Sequence, residues 1–340
     1  TRAIAFPRPR RAELHHDVRL PEMDDDGVLV RTEYSTISRG TELDLYTGQM
    51  HGRGVDSQWY PMLPGYMPVG LVEAVGPRVR HVAVGDRVVG SNLLAGFDER
   101  YCPAWAGHTQ QVVFSSSSHP RLGGLRAVRV PPGVRPEQAG LGMLAGVAWH
   151  GVRDKVKPAA GDIVLVIGQG VVGNFAGQLC RSLGARVIVT DKHPERLAIA
   201  RANGVQDTVA ADGRSLKEAV LQITDGQAPH AVIETTGELE PVRLALDIVR
   251  DHGRVQVQGM YMDPAPPDLL RTLLSKSLSL TATLAESPEL TSEALDMMAA
   301  GKISTEGMIS ELADPHDAGM VYDALYRQPD RYLTCAFKWQ

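Results

Sequence analysis

The stretch DIVLVIGQGVVGNFAGQLCRSLGARVIVTD, residues 162–191, leaves a chain little conformational choice. An apolar run of strand length meets Gly168-x-Gly170-x-x-Gly173, which opens a helical pattern, and a second apolar run ends at Asp191 about twenty residues on. Gly168 permits a tight turn, Gly170 lets a pyrophosphate approach the backbone, and Gly173 lets the helix lie close on the strand. Val171 and Val172 begin that helix, whose free N–H groups attract phosphate. Asp191 can accept hydrogen bonds from both ribose hydroxyls but would repel a 2′-phosphate, so NAD(H) is favoured over NADP(H). Lys192, His193 and Arg196 follow at once. Their charge could soften the preference and leave NADP(H) open, or they could simply form a solvated helix start. With the strand before, the helix after and the acid in place, a dinucleotide site is expected rather than a structural glycine loop.

The sequence around this motif is of one kind. From Glu137 it reads helix (EQAGLGMLAGVAWHGV), strand, helix, strand (ARVIVTD), helix (PERLAIARANG), and later strands HAVIETTG and GRVQVQG. Strands and helices alternating at this pitch predict an α/β fold, with a doubly wound parallel sheet covered on both faces. Before it, short alternating runs broken by Gly and Pro (GVLVRTEYS, VGLVEAVG, VGDRVVG) predict an antiparallel β domain. After it come two helices, TSEALDMMAAG and one around DAGMVYDALYR, and a strand, YLTCAFKW, expected to return to the first domain. The expected boundaries are 1–140 for the β-rich catalytic domain, completed by about 291–340, and 141–290 for the dinucleotide domain. At 340 residues and 43% hydrophobic, the chain can bury a core in each.

Composition narrows the partners. Lys and Arg total 35 against 40 Asp and Glu, a formal charge of -5, which offers no broad cationic field for nucleic acid or an anionic membrane. A small-molecule substrate is expected. Cys102, Cys180 and Cys335 form no Cys-x-x-Cys pair and cannot all be bridged, which fits a reducing cytoplasm. No apolar run approaches the roughly 20 residues of a membrane-spanning helix, so a cytoplasmic protein is expected.

The order of parts, together with PGYMPVGLVEAVG (64–76), VGDRV (84–88), LAGVAWHGV (144–152) and the glycine motif, resembles the medium-chain dehydrogenase/reductase superfamily over nearly the whole chain. The resemblance implies a GroES-like catalytic domain joined to a Rossmann domain. Within the superfamily, SRGTELDLYTG (38–48), YPMLPGYMPVG (60–70) and GRVQVQGMY (253–261) look most like bacteriochlorophyllide a 3-hydroxyethyl dehydrogenases, which implies secondary alcohol/ketone chemistry. The same resemblance places Thr235, Thr236, Gly259, Met260 and Tyr261 beside the nicotinamide and its ribose. Independently, ligands gather at the carboxyl ends of parallel strands. SLSLTATL (277–284) reads as an edge strand that could pair across a twofold, so a homodimer is expected.

The chain departs from the zinc-dependent members at the metal. Laid on their usual pattern, Arg39 falls at the first ligand, Thr41 at the hydroxyl relay, Asp44 at the relay histidine, Tyr66 at the second ligand and Leu144 at the third. A one-residue gap would bring Ser38 to the first position. Neither Arg nor Leu can ligate zinc, and a lone neutral Tyr is a poor ligand, so no metal is expected. A metal-free site must still stabilise and protonate a developing alkoxide. Tyr66 is the first candidate, with Arg39 as a cation beside its phenol and Thr41 as relay. The alternative is that Tyr66 fills the interdomain core with its hydroxyl on a backbone carbonyl. Arg39 could equally grip a pyrophosphate or pair with Glu42. Glu42 and Asp44, in the same loop, could shuttle protons or hold a polar substrate, or be solvated. His51, in MHGRGVDSQW, could wall the substrate pocket or be an exposed loop residue.

The function expected is a zinc-independent NAD(P)(H)-dependent alcohol dehydrogenase or ketone reductase. The polar residues Arg39, Glu42, Asp44 and His51 favour a hydrophilic substrate from specialised metabolism, such as a sugar, cyclitol or aminoglycoside-like compound. The alternatives are a bacteriochlorophyllide-type hydroxyethyl dehydrogenase, an enone or quinone reductase, and a non-catalytic nicotinamide-binding sensor or reductase partner.

Overall fold

A computed structural model describes residues 1–49, 59–90, 98–102, 104–114, 127–211, 215–261, 268–284 and 287–339. The chain divides into two compact units. The first comprises Thr1–Met143, Ser287–Ala299 and Ile309–Gln340, and the second Leu144–Glu286 and Ala300–Met308.

The first unit begins with an antiparallel hairpin of β1 (Ala3–Arg8) and β2 (Arg11–His15). After β3 (Val28–Thr36) come helix α1 (Arg39–Thr47), β4 (Met67–Val75), β5 (Arg87–Val89), β6 (Gln111–Phe114) and β7 (Val128–Arg129). Alternation in β3 buries Val28, Val30 and Thr32, as a half-covered strand requires. A register shift against β4 between Thr32 and Tyr34 changes the phase, and Ser35 turns inward as well. Val28, Val30, Val72, Val88, Val112 and Phe114 belong to the core beneath this sheet.

Helix α1 corrects the reading of residues 38–48 as a loop. Ser38 is its N-cap in extended conformation, and the Glu42 carboxylate reaches back to accept the Ser38 N–H at 2.7 Å. Gly48, in the left-handed region at φ 78°, ends the helix. Helix formation turns Glu42 into the unit rather than toward water, and it is completely buried.

Helices α2 (Pro136–Ala139) and α3 (Leu141–His150) lead into the second unit through a π-helical turn at Gly151–Val156. There the alternation predicted from the sequence is realised: β8 (Ile163–Ile167), α4 (Val171–Ser182), β9 (Arg186–Asp191), α5 (Pro194–Ala202), β10 (Asp207–Ala210), α6 (Leu216–Ile223), β11 (Ala231–Glu234), α7 (Leu239–Ile248), β12 (Arg254–Val257), α8 (Leu269–Lys276) and β13 (Ser279–Ala282). The strands form one parallel sheet in the order β10-β9-β8-β11-β12-β13. This is the Rossmann order, and its direction reverses between β8 and β11, the switch point at which sheets of this kind bind ligands. All five residues of β8 are buried, as a central parallel strand demands.

The chain then forms α9 (Pro288–Ala299), β14 (Ile309–Ala313), α10 (Ala318–Arg327) and β15 (Thr334–Lys338). Strand β15 pairs antiparallel with β3, and the sheet runs β14-β15-β3-β4-β5-β7, with β6 also on β3. Residues 300–308, read from the sequence as part of this return, instead belong with the second unit. Polar anchors explain it: Gln178 exchanges hydrogen bonds with the Ser304 backbone at 2.7 and 3.0 Å, and Asn203 Nδ2 donates to the Glu306 carbonyl at 3.0 Å.

Among the described residues no helix is long and apolar enough to cross a membrane. All three cysteines are buried thiols. Burial pushes Cys180 and Cys335 up to about 12 and raises Cys102 as well. The thiolate is the reactive form, so the native protein should resist iodoacetamide at mildly alkaline pH. Intact mass should show no adduct before unfolding and three in concentrated guanidinium; labelling of the native chain would contradict this burial.

Candidate functional site

In the second unit the glycine motif forms a shaped turn at the switch point. Gly168 sits at φ 91°, a conformation strained for any residue with a Cβ. A Cβ on Gly173 would come within 2.0 Å of the Gly168 carbonyl oxygen, so this glycine is what brings α4 onto β8. Gly170 differs. Its φ is an ordinary -65°, and a Cβ there would meet none of the described residues within 4 Å. None of these residues requires that glycine, and the open space beside it at the α4 N-terminus fits a phosphate.

Asp191, at the end of β9, is buried and doubly pinned. Its Oδ2 accepts the Gln169 N–H at 2.6 Å and its Oδ1 the His193 N–H at 2.8 Å, while Arg196 Nη1 lies 3.7 Å from Oδ2. Lys192 turns to an exposed ion pair with Glu238 at 3.2 Å. Across the switch point, Thr235 Oγ1 donates to the carbonyls of Ile167 and Gly168 at 3.0 and 3.1 Å, tying β11 to the glycine turn. Gly259 and Met260 press against Gly237, where a Cβ on Gly259 would lie 2.2 Å from the Gly237 nitrogen.

The sequence reading missed Glu234, the charged end of the apolar run HAVIE. Its carboxylate accepts the Thr236 N–H at 2.8 Å, the Thr236 hydroxyl and the Tyr261 hydroxyl. Burial raises both the Glu234 carboxyl and the Tyr261 phenol above their usual ranges. Thr235, Thr236 and Tyr261 thus spend their hydroxyls on the protein and set the ends of β11 and β12.

In the first unit, residues 62–66 run beside Cys102 and residues 104–108. Ala106 and Gly107 N–H donate to the Leu63 and Gly65 carbonyls at 2.9 and 2.7 Å. Trp105 and Ala106 take positive φ of 70° and 46°, a strain of order 1–3 kcal/mol each. The Trp105 ring, also missed in the sequence, lies 5.4 Å from that of Tyr66. Tyr66 is half-buried, and its hydroxyl donates to Ser38 Oγ. The Arg39 guanidinium donates to the Leu325 carbonyl at 3.3 Å. Ser38, the residue a one-residue gap would bring to the first ligand position, is the one that meets the phenol.

Glu42 is no solvated loop acid. Its Oε2 faces His108 Nε2 at 2.8 Å and accepts the Tyr322 hydroxyl, while His108 Nδ1 lies 2.7 Å from Ser35 Oγ. Thr41 is buried in the first turn of α1, Asp44 is half-buried in the second, and His51 lies outside the described residues.

Residues 24–145 match the family model for the alcohol dehydrogenase GroES-like domain, and 171–300 match that for zinc-binding dehydrogenase. The two matches, in this order, indicate the medium-chain dehydrogenase/reductase superfamily, whose members are nicotinamide-dependent. D-arabinitol dehydrogenase 1 of Uromyces fabae is 26% identical over 327 residues, 91% of this chain and 89% of that protein. D-arabitol-phosphate dehydrogenase of Enterococcus avium is 24% identical over 306 residues, 87% and 85% of the two. Among solved structures, an alcohol dehydrogenase from Thermus sp. ATN1 superimposes with a TM-score of 0.84 at 26% identity, covering 100% of both chains.

The fit of a zinc ion can be judged from the donor set. Arg39 and Leu144 carry no atom that can ligate, and the Tyr66 hydroxyl is engaged by Ser38. The residues at the three aligned positions do not fit the metal. The match described as zinc-binding covers 171–300 and includes none of them.

The roles of the second and third glycines separate experimentally. Gly173→Ala should destabilise the apoprotein by about 3 kcal/mol through overlap with Gly168, seen as a lowered Tm. Gly170→Ala should leave apoprotein stability within about 0.5 kcal/mol yet weaken NADH binding about tenfold or more in a fluorescence titration.

Proposed function

We propose that the protein is a zinc-independent, NAD(P)(H)-dependent alcohol dehydrogenase or ketone reductase acting on a secondary carbinol of a polar, polyol-like metabolite. The observation that carries this reading is the Tyr66 hydroxyl resting on the Ser38 hydroxyl, where the zinc-dependent pattern calls for metal ligands. The glycine turn supports dinucleotide binding, with Asp191 favouring NAD(H) and Arg196 beside it keeping NADP(H) open. The relatives named for arabitol, arabinitol and their phosphate support the substrate class. The likeness of SRGTELDLYTG and YPMLPGYMPVG to 3-hydroxyethyl dehydrogenases supports secondary alcohol chemistry.

The bound dinucleotide supplies a hydride in reduction and takes one in oxidation. In reduction Tyr66 gives its proton to the carbonyl oxygen as the carbon is reduced, which yields the alcohol. The phenolate left behind keeps a donor, because the Ser38 O–H can rotate toward it once it no longer accepts. In oxidation the same phenolate removes the hydroxyl proton. General acid–base catalysis of this kind is worth about 10²–10⁴-fold. We also propose a homodimer, built on the β13 edge and the neighbouring helix α8, whose Leu270 and Leu274 are 72% and 81% exposed.

Chelator-dialysed protein should oxidise NADH against a panel of keto-sugars, keto-cyclitols, a tetrapyrrole ketone and simple enones. Turnover is expected with the polyol-derived ketones, giving alcohols, and no gain on adding zinc. Dependence on added zinc, or a saturated C=C bond as product, would overturn the reading. Tyr66→Phe should lower kcat about 100-fold with NADH affinity unchanged; wild-type turnover in that variant would remove Tyr66 from the chemistry.

A further inference from the structure

Ser38 stands at the N-cap of α1, yet its hydroxyl makes no hydrogen bond to the helix and instead receives the Tyr66 phenol. An N-cap serine ordinarily spends its hydroxyl on a free helix N–H. Here the hydroxyl is free for Tyr66 while the Glu42 carboxylate holds the same residue by its backbone N–H at 2.7 Å. Glu42 is in turn fixed by His108 Nε2 at 2.8 Å and by the Tyr322 hydroxyl, and all three side chains are fully buried. His108 also bears on the turn that precedes Tyr66. A Cβ on Gly65, at φ 93°, would lie 2.5 Å from the His108 ring, so the residue before Tyr66 rests directly on that imidazole. The His108 N–H also donates to the Pro64 carbonyl at 3.2 Å.

The donor pattern runs one way. Trp339 Nε1–H donates to Ser35 Oγ at 2.9 Å, and Ser35 Oγ is 2.7 Å from His108 Nδ1. With a neutral imidazole, Ser35 donates to Nδ1, Nε2–H donates to Glu42, and the Tyr322 O–H and Ser38 N–H complete its shell. Three protons thus reach the carboxylate, from Ser38 N–H, His108 Nε2–H and the Tyr322 hydroxyl. Around it, Phe6 and Phe337 close the space, at 4.8 Å from Tyr322 and 5.4 Å from His108 between ring centroids.

We infer that Glu42 and His108 are positioning residues for Tyr66: the buried pair fixes Ser38 through its backbone and the Pro64-Gly65 turn through the imidazole, so the phenol is aimed before substrate arrives. The inference rests on the proposed role of Tyr66 for its catalytic consequence but not for the positioning itself. The role is one of reach rather than charge. Glutamine has the length to accept the Ser38 N–H, and its amide can donate to His108 Nε2 in the other tautomer, with Nδ1–H then donating to Ser35. Aspartate keeps the charge but falls one methylene short of Ser38.

The test uses the full chain with tyrosine labelled by carbon-13 at Cζ, the Tyr66 signal being the one lost in Tyr66→Phe. That signal should move in Ser38→Ala, move to the same position in Glu42→Asp, and keep its wild-type position in Glu42→Gln. A signal unmoved by Glu42→Asp, or moved equally by Glu42→Gln, overturns the proposal. If the shortened side chain prevents folding, Tyr322→Phe takes its place. Loss of that hydroxyl frees the carboxylate to turn toward His108 and away from Ser38, so the Tyr66 signal should move in the same sense, and an unmoved signal overturns the proposal. On the fastest ketone of the panel, Glu42→Asp should lose about tenfold or more in kcat, with KM and NADH affinity unchanged, and lose nothing further in a Tyr66→Phe background. Independent, multiplying losses would assign Glu42 a merely structural role. Full turnover by Tyr66→Phe alone would instead remove the catalytic reading and leave the positioning to the spectroscopic result.

Discussion

A carboxylate with no access to water must be surrounded by donors, and Glu42 meets that demand in a way that organises the first unit. Desolvation of an unpaired carboxylate would cost more than the whole net stability of a domain. The partners therefore have to arrive together: Ser38 N–H from the start of α1, His108 from the strip beside 62–66, and Tyr322 from α10. His108 brings Ser35 of β3, and Ser35 brings Trp339 beyond β15. One side chain thus ties two helices and two sheet strands to a single point. Removing a partner so that a buried polar group is left unsatisfied typically costs about 1–3 kcal/mol, and more where that group is charged.

The second unit is organised by a close approach instead of a charge. The carbonyl of Gly168 occupies the space a side chain at 173 would need, and Thr235 caps that carbonyl from the neighbouring central strand. Asp191 then fixes the turn by accepting the N–H of Gln169. Helix, turn and the ends of β8, β9 and β11 are locked by sterics and these polar contacts, and open space is left beside Gly170 at the N-terminus of α4. Such a site is set before any ligand arrives, which reduces the ordering cost of binding.

These two kinds of constraint explain what could be read from the amino acids. The turn at 168–173, the strands that flank it and the acid at 191 were legible because each depends on residues close in sequence and on backbone geometry that only glycine permits. The alternation of β8 to β12 with helices was legible for a similar reason, since a fully buried parallel strand has to be an apolar run. Helix α1 was not. Its buried face includes a glutamate, which by composition belongs in water, and the partners that make burial tolerable lie 66 and 280 residues away. Glu234 was hidden in the same way, its partner Tyr261 lying 27 residues on. A signal did exist: Ser38 and Glu42 stand one turn apart ahead of Gly48, the spacing of a helix start and stop. Trp105 carried no local signal at all, because its placement depends on two left-handed residues that are not glycine.

The missing ligands and the buried pair belong to one argument. Where metal–ligand bonds hold a site, its side chains are oriented by the ion, and their support can be loose. A phenol that is to act alone has no such anchor, and an ångström of misplacement can cost about a hundredfold in rate. It must be oriented by its own surroundings. Here the surroundings are a serine hydroxyl withheld from its helix, an aromatic ring held in a strained turn and a glycine seated on an imidazole, with Glu42 and His108 bearing on all but the ring. In the proposed reaction, rigidity that a metal centre would draw from coordination comes instead from a carboxylate whose burial leaves it one arrangement of donors.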